Sequence, residues 1–244
     1  MSPRLYLVRH AQGFHNSTRD LTLLDPVLTE KGKGQCRDLR NSFQHHSEID
    51  LVLTSPLRRT IQTAALSFGP TLSRDIPFVA VPEAQEVGHH RSDTGLAPSE
   101  LQKELDTLFA NDALDFDIKK LNLDAVKEGW NGKTGYWAWD RTAISKRAAD
   151  LRSWIFNRPE ERILLVTHGA FLHFLTEDWD VRDPMNSTAY HNCELREFVF
   201  TAESTEEDAH LAETTESKRR RGKTEHEQDP HILADLRGSV EGEQ

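Results

Sequence analysis

Two histidines in this chain each follow a short apolar run, and both stand beside residues suited to phosphate. The first run, "LYLV" (Leu5 to Val8), leads into Arg9 and His10; the second, "ILLV" (Ile163 to Val166), leads into Thr167, His168 and Gly169. A single histidine at a strand end is usually a hydrogen-bonded structural residue. Two of them, with Arg9 and Arg59 nearby and with Gly169 opening a helix whose N–H groups can receive an anion, indicate phosphoryl chemistry. Guanidinium groups and a helix N-terminus suit the spread charge of a phosphoryl group, and one imidazole can act as nucleophile while the other stabilises it.

The elements that position these residues follow from the apolar pattern. Strands are expected at Leu5 to Val8, Asp50 to Thr54, Pro77 to Val81, Ile163 to Val166 and Leu195 to Phe200. Helices are expected from Leu28 to about Phe43 with Thr29 as N-cap, after Ser55 as N-cap with Pro56 in its first turn, near Ser99 to Phe109, from Asp140 to Phe156, and after His168. Gly32 and Gly34 weaken the first of these helices and imply close backbone packing. Strands alternating with helices imply an α/β fold, a three-layer α/β/α arrangement around a mostly parallel sheet. In open sheets of this kind, ligands bind at the carboxyl ends of the strands, where His10 and His168 fall.

The 244 residues carry a net charge of −10, which argues against a nucleic-acid-binding body. From Thr201 onward twelve acidic residues face six basic ones, and no aromatic residue occurs. The division expected is a domain over residues 1–200 and an acidic, disordered tail over 201–244. The basic cluster Lys218 to Arg221 with Lys223 reads as a solvated charge run, with nuclear targeting as the alternative. Two distant cysteines, Cys36 and Cys193, make neither a zinc site nor a disulfide framework, so no metal and no cofactor are expected. Without an N-terminal apolar segment or a membrane span, the expected location is the cytosol. No motif speaks to oligomeric state.

Four spaced motifs then stand in order: Arg9, His10, Ala11 and Asn16; Asp25, Leu28, Thr29, Gly32 and Gln35; Ser55, Leu57, Arg59 and Thr63; and His168 with Gly169. In this the chain resembles the histidine phosphatase superfamily, which has the phosphoglycerate mutase-like fold, and specifically its small fungal and plant phosphatase-like branch, over roughly residues 3–200. The resemblance implies that His10 is the nucleophile that becomes phosphorylated, that Arg9, Arg59 and His168 bind the phosphoryl oxygens, and that Asn16 belongs to the site. It also implies a carboxylic acid after the third strand that protonates the leaving oxygen; Glu86 fits that place best, with Glu83 as the alternative. His15 and Arg91 are candidates for reading the rest of the substrate, with His89, His90 and Asp93 beside them.

The chain departs from the family pattern at several points. Ala11 replaces the commoner glycine after the nucleophile, Gly13 stands where the mutases carry serine, and His15 where they carry tryptophan. The segment after Glu86 lacks the Trp-Arg-Arg element with which the mutases hold substrate. The expected activity is therefore a metal-independent phosphomonoesterase acting on a small phosphorylated metabolite. Mutase-type phosphotransfer and a silent phospho-ligand-binding scaffold are the alternatives.

Overall fold

The computed structural model describes residues 2–178 and 190–222. In chain order its elements are β1 (Arg4–Arg9), α1 (Phe14–Thr18), α2 (Glu30–Ser42), β2 (Leu51–Thr54), α3 (Arg58–Ser67), α4 (Gly69–Leu72) and β3 (Phe78–Ala80). There follow α5 (Pro98–Leu108), β4 (Leu121–Asn122), α6 (Arg141–Phe156), β5 (Arg162–Thr167), α7 (Gly169–Thr176), β6 (Leu195–Phe200), β7 (Leu211–Glu213) and α8 (Thr215–Arg221). The strands form one sheet in the order β4-β3-β2-β5-β1-β6-β7. The four pairings from β4 to β1 are parallel, while β6 runs antiparallel to both β1 and β7.

The central strands are continuously apolar between their ends, Leu5–Val8, Leu51–Leu53 and Ile163–Val166, because both faces of the sheet are covered. On one face Leu5, Leu7, Leu53, Ile163 and Leu165 pack against Ile144 and Leu151 of α6 and Phe171 and Leu175 of α7. On the other, Tyr6, Val8, Val52, Leu164 and Val166 meet Ile61 and Ala65 of α3 and Leu101 and Leu105 of α5. Alternation along each strand thus feeds two cores and produces the expected three-layer α/β/α architecture.

Two expectations give way to the structure. The helix after β2 begins at Arg58, with Leu57 as its cap, rather than directly after Ser55. The Arg58 N–H donates to Asp25 Oδ1 at 3.0 Å, so a carboxylate from a distant loop supplies the cap, and the Ser55 hydroxyl is left for other use. The second concerns the tail. Residues 201–222 are ordered, since β7 extends the sheet beyond β6 and α8 folds back on it. Leu211, Ala209 and Ser217 are buried there, and the Ser217 hydroxyl donates to Glu213. The basic cluster is correspondingly ion-paired: Arg221 with Glu213 at 2.9 Å, Arg220 with Glu197 at 3.6 Å and Arg219 with Glu216 at 3.9 Å. Lys223 lies outside the described residues. Among the described residues no helix is long and apolar enough to cross a membrane.

Candidate active site

The register of the sheet brings the two histidines together. Arg9, the last residue of β1, pairs with Thr167, the last of β5, so His10 and His168 leave adjacent parallel strands side by side. The His10 N–H donates to the Thr167 carbonyl at 2.9 Å, and the two imidazoles meet edge to face with centroids 5.2 Å apart. His10 is 2 % exposed and His168 is fully buried.

Two hydrogen bonds fix the tautomer of His10. Its Nδ1–H donates to the Ala11 carbonyl at 2.7 Å, and its Nε2 accepts from Arg59 Nε at 3.2 Å. A carbonyl can only accept and a guanidinium N–H can only donate, so the proton sits on Nδ1 and the lone pair on Nε2. Burial, then the charges of Arg59 and Arg9, hold the His10 pKa well below the ordinary histidine value, which keeps this ring neutral.

Arg59 is fully buried and uses three of its five N–H groups on the surrounding protein. Besides His10 it donates through Nη1 to the Ser92 carbonyl at 2.6 Å and through Nη2 to Asp93 Oδ1 at 2.9 Å. Arg9, from the end of β1, donates to the Tyr190 carbonyl at 2.6 Å. His168 caps α7, and its Nε2 lies 2.9 Å from Ser55 Oγ, while its buried Nδ1 has no partner among the described residues. Burial and the Arg59 charge also depress the His168 pKa well below normal.

Glu86 sits where the loop after β3 meets the start of α7. Its Oε1 accepts from its neighbour Val87 N–H at 2.9 Å and from Phe171 N–H at 3.0 Å, which seats the carboxyl on the α7 N-terminus beside His168 and Gly169. Burial and then the neighbouring Asp93 charge raise its pKa despite those donors. Buried Arg147 positions this loop by donating to the Glu83 and Gln85 carbonyls, each at 2.6 Å. Glu83 lines a cavity with Val79, Asp150 and Trp154.

The second motif supports the loop that follows His10. Gln35 Oε1 accepts from Gln12 N–H at 2.8 Å, and the Thr29 hydroxyl donates to Gln12 Oε1 at 2.9 Å. A Cβ on Gly32 would come within 2.2 Å of the Gln12 carbonyl oxygen, so glycine is required at that crossing. Gly34 has no such neighbour, since its nearest contact would lie at an ordinary 3.7 Å. Thr63 receives the Ala11 N–H at 3.0 Å, and Asn192 Nδ2 donates to the His10 carbonyl at 3.1 Å.

The remaining candidates divide. His15 on α1 is buried, with its ring 5.7 Å from that of His10. Asn16 Oδ1 accepts from Gly13 N–H at 3.0 Å and so fastens the start of α1 beneath His15. Arg91 is exposed and donates to the Thr22 carbonyl at 3.0 Å, with no described contact to the histidine pair. His89 stacks between His90 and Trp139, with centroids at 4.7 and 4.4 Å. Trp130 is a core residue. Among the described residues no three histidine, cysteine or acidic side chains are grouped to hold a metal ion. Two participants escaped the sequence reading: Ser55 as the partner of His168, and Lys133, whose Nζ donates to the Glu86 carbonyl at 3.0 Å. Only glycines at positions 132 and 135 set Lys133 apart in the sequence.

A doubly covered α/β sheet with paired histidines and buried arginines at its carboxyl edge defines a class of phosphoryl-handling proteins. A profile of the histidine phosphatase superfamily (branch 1) matches residues 5–211, and the chain belongs to that superfamily. It is 30% identical over 240 residues to a phosphoglycerate mutase-like protein of Arabidopsis thaliana, covering 80% of this chain and 83% of the relative. It is 23% identical over 202 residues to a probable phosphatase of Schizosaccharomyces pombe, covering 80% and 88%. Among solved structures, a mycobacterial glucosyl-3-phosphoglycerate phosphatase crystallised with VO3 shares the fold, with a TM-score of 0.54, 17% identity, and 87% and 97% of the two chains covered. The resemblance drawn from the four motifs is thereby borne out.

Proposed function

We propose that the protein is a phosphomonoesterase that hydrolyses a small phosphorylated metabolite through a phosphohistidine at His10, without a metal. The observation that carries this reading is the fixed tautomer of His10, with its proton given to the Ala11 carbonyl and its Nε2 lone pair turned to Arg59. A nucleophile of this kind is ready at neutral pH without a separate base.

In the first step Nε2 attacks phosphorus and the bond to the ester oxygen breaks. Arg59 and Arg9 balance the charge on the phosphoryl oxygens electrostatically. His168 joins them: when the Ser55 hydroxyl donates its hydrogen bond to Nε2, the neutral ring carries its proton on Nδ1, the atom without a partner among the described residues. Glu86, whose pKa is raised by burial and then by Asp93, gives its proton to the leaving oxygen. In the second step the ionised Glu86 takes a proton from water, which attacks the phosphohistidine and releases phosphate.

The placement of Glu83 in a cavity with Val79, Asp150 and Trp154 supports Glu86 as the acid. The exposed Arg91, spent on a backbone carbonyl, gives no support to a mutase-type clamp on a returning substrate. A cytosolic location remains part of the proposal and rests on two free, buried cysteines. Rapid acid-free quenching with a phosphorus-labelled ester tests the intermediate directly. An alkali-stable, acid-labile label on the wild type and none on His10→Ala is expected, whereas label retained on His10→Ala overturns the assignment.

A further inference from the structure

Lys133 occupies a left-handed backbone conformation, φ 51°, which a side chain larger than glycine adopts only under strain. Glycines stand at 132 and 135, yet lysine holds this position. The strain is not needed to fasten the loop. Gln85 Nε2 donates to the Trp130 carbonyl at 2.7 Å, Trp130 Nε1 to the Leu96 carbonyl at 3.1 Å and Asn131 Nδ2 to the Gly95 carbonyl at 2.7 Å. The Trp130 ring also fills the space over Gly95, where a Cβ would come within 2.3 Å of it.

What the strained backbone does is bring an ammonium to the site. Lys133 Nζ donates one of its three N–H groups to the Glu86 carbonyl at 3.0 Å. The groups around it are the Asp93 and Glu86 carboxyls, the Arg147 and Arg59 guanidiniums, and the His168 and His89 rings. Desolvation, helped by Arg147 and Arg59 and opposed by Asp93 and Glu86, brings its pKa down to about 7. An anion arriving beside this amine would meet N–H groups that bond nothing else among the described residues, and would join Asp93 and Glu86 in offsetting the two guanidiniums. Because Glu86 serves the leaving oxygen, a cation attached to the Glu86 backbone lies on the leaving-group side.

We propose that Lys133 is a substrate-reading residue, whose ammonium receives an anionic group on the leaving half of the ester. The site then prefers phosphate monoesters with a second negative charge, a carboxylate or another phosphate, close to the ester oxygen. This inference rests on the phosphatase reading above and deepens it.

Phosphoglycolate and ethyl phosphate test it, since they differ only by a carboxylate in place of a methyl group; ethane-1,2-diol bisphosphate is the second-phosphate arm. Values of kcat and KM are measured for wild type, Lys133→Met and Lys133→Arg. Wild type is expected to prefer at least one anionic ester over ethyl phosphate by tenfold or more, and the preferred arm identifies the second anion. Lys133→Met brings that ratio close to one through KM, and Lys133→Arg restores much of it. Equal losses on all three esters, or a wild type without preference, overturn the proposal. Equilibrium binding of the same esters to His10→Ala, with and without Lys133→Met, separates the two readings. A preference that persists in binding and disappears with Lys133→Met, in a wild type that hydrolyses none of them, sinks the phosphatase reading and upholds the role of Lys133.

Discussion

Asp93 Oδ1 lies 2.9 Å from Arg59 Nη2, and Nε of the same guanidinium lies 3.2 Å from His10 Nε2. The carboxylate thus aims the arginine at His10 and also raises the pKa of Glu86 by its charge. Both effects are lost together when it is neutralised. Asp93→Asn is expected to lower kcat/KM by about tenfold to a hundredfold, the range for losing a charge-assisted hydrogen bond of about 1.5–3 kcal/mol. It should also move the basic limb of the kcat profile to lower pH, because Glu86 then loses its proton more easily. A pH–rate profile checks this, and an unmoved basic limb speaks against the coupling.

Glu86→Gln should cost about 10²–10⁴ in rate on an alkyl phosphate, the usual range for a general acid. The cost on p-nitrophenyl phosphate should be smaller, because that leaving group departs without a proton. Glu83→Gln, in the cavity with Asp150 and Trp154, should stay within a few-fold on both esters. Steady-state kinetics on the two esters decide between the carboxylates.

Ser55→Ala removes the partner of His168 Nε2 and leaves the ring orientation and tautomer unset. One neutral hydrogen bond is worth about 1 kcal/mol, so a fall of about fivefold to tenfold in kcat/KM is expected. Thermal unfolding recorded alongside the kinetics separates this effect from a general loss of stability.

Gly32→Ala and Gly34→Ala form a matched pair on α2. The first drives a Cβ to 2.2 Å from the Gln12 carbonyl oxygen and should destabilise by about 1–3 kcal/mol while loosening the loop after His10. The second meets nothing closer than 3.7 Å and should stabilise the helix by about 0.5–1 kcal/mol. Urea unfolding of both variants tests the sign of each change.

Stability should fall as pH drops from 7 to 5. His10, His168 and His173 are buried with folded pKa values below the unfolded 6.5, that of His173 at about 4. Below pH 6.5 the unfolded chain therefore binds protons that the folded chain refuses, and each histidine costs up to about 1.4 kcal/mol per pH unit. Asp25, raised to about 6, and Glu86 act in the opposite sense, since the folded state binds their protons first. With His89 and Lys133 added to the three histidines, and His210 added to the two acids, the balance is still a net loss. A urea midpoint that rises between pH 7 and pH 5 contradicts this balance.

What the sequence disclosed was whatever depends on neighbours along the chain. The apolar runs ending in His10 and His168 are short and unbroken, the signal of a strand covered on both faces, and the parallel register then places the histidines together. The start of α3 was misread because its cap comes from Asp25, a carboxylate 33 residues away, and such a partner leaves no local signature. Residues 201–222 were misread because their composition is polar, although a few buried residues and the ladder to β6 suffice to order them. Lys133 was missed for the same reason as the capping role of Asp25: its place beside Glu86 is made by the packing of two loops.

The most direct test of the account is phosphate release from p-nitrophenyl phosphate in excess chelator, comparing the intact protein with His10→Ala. The account predicts release by the intact protein that survives chelation and falls to background in His10→Ala. Release that needs added metal, or that His10→Ala retains, would contradict it.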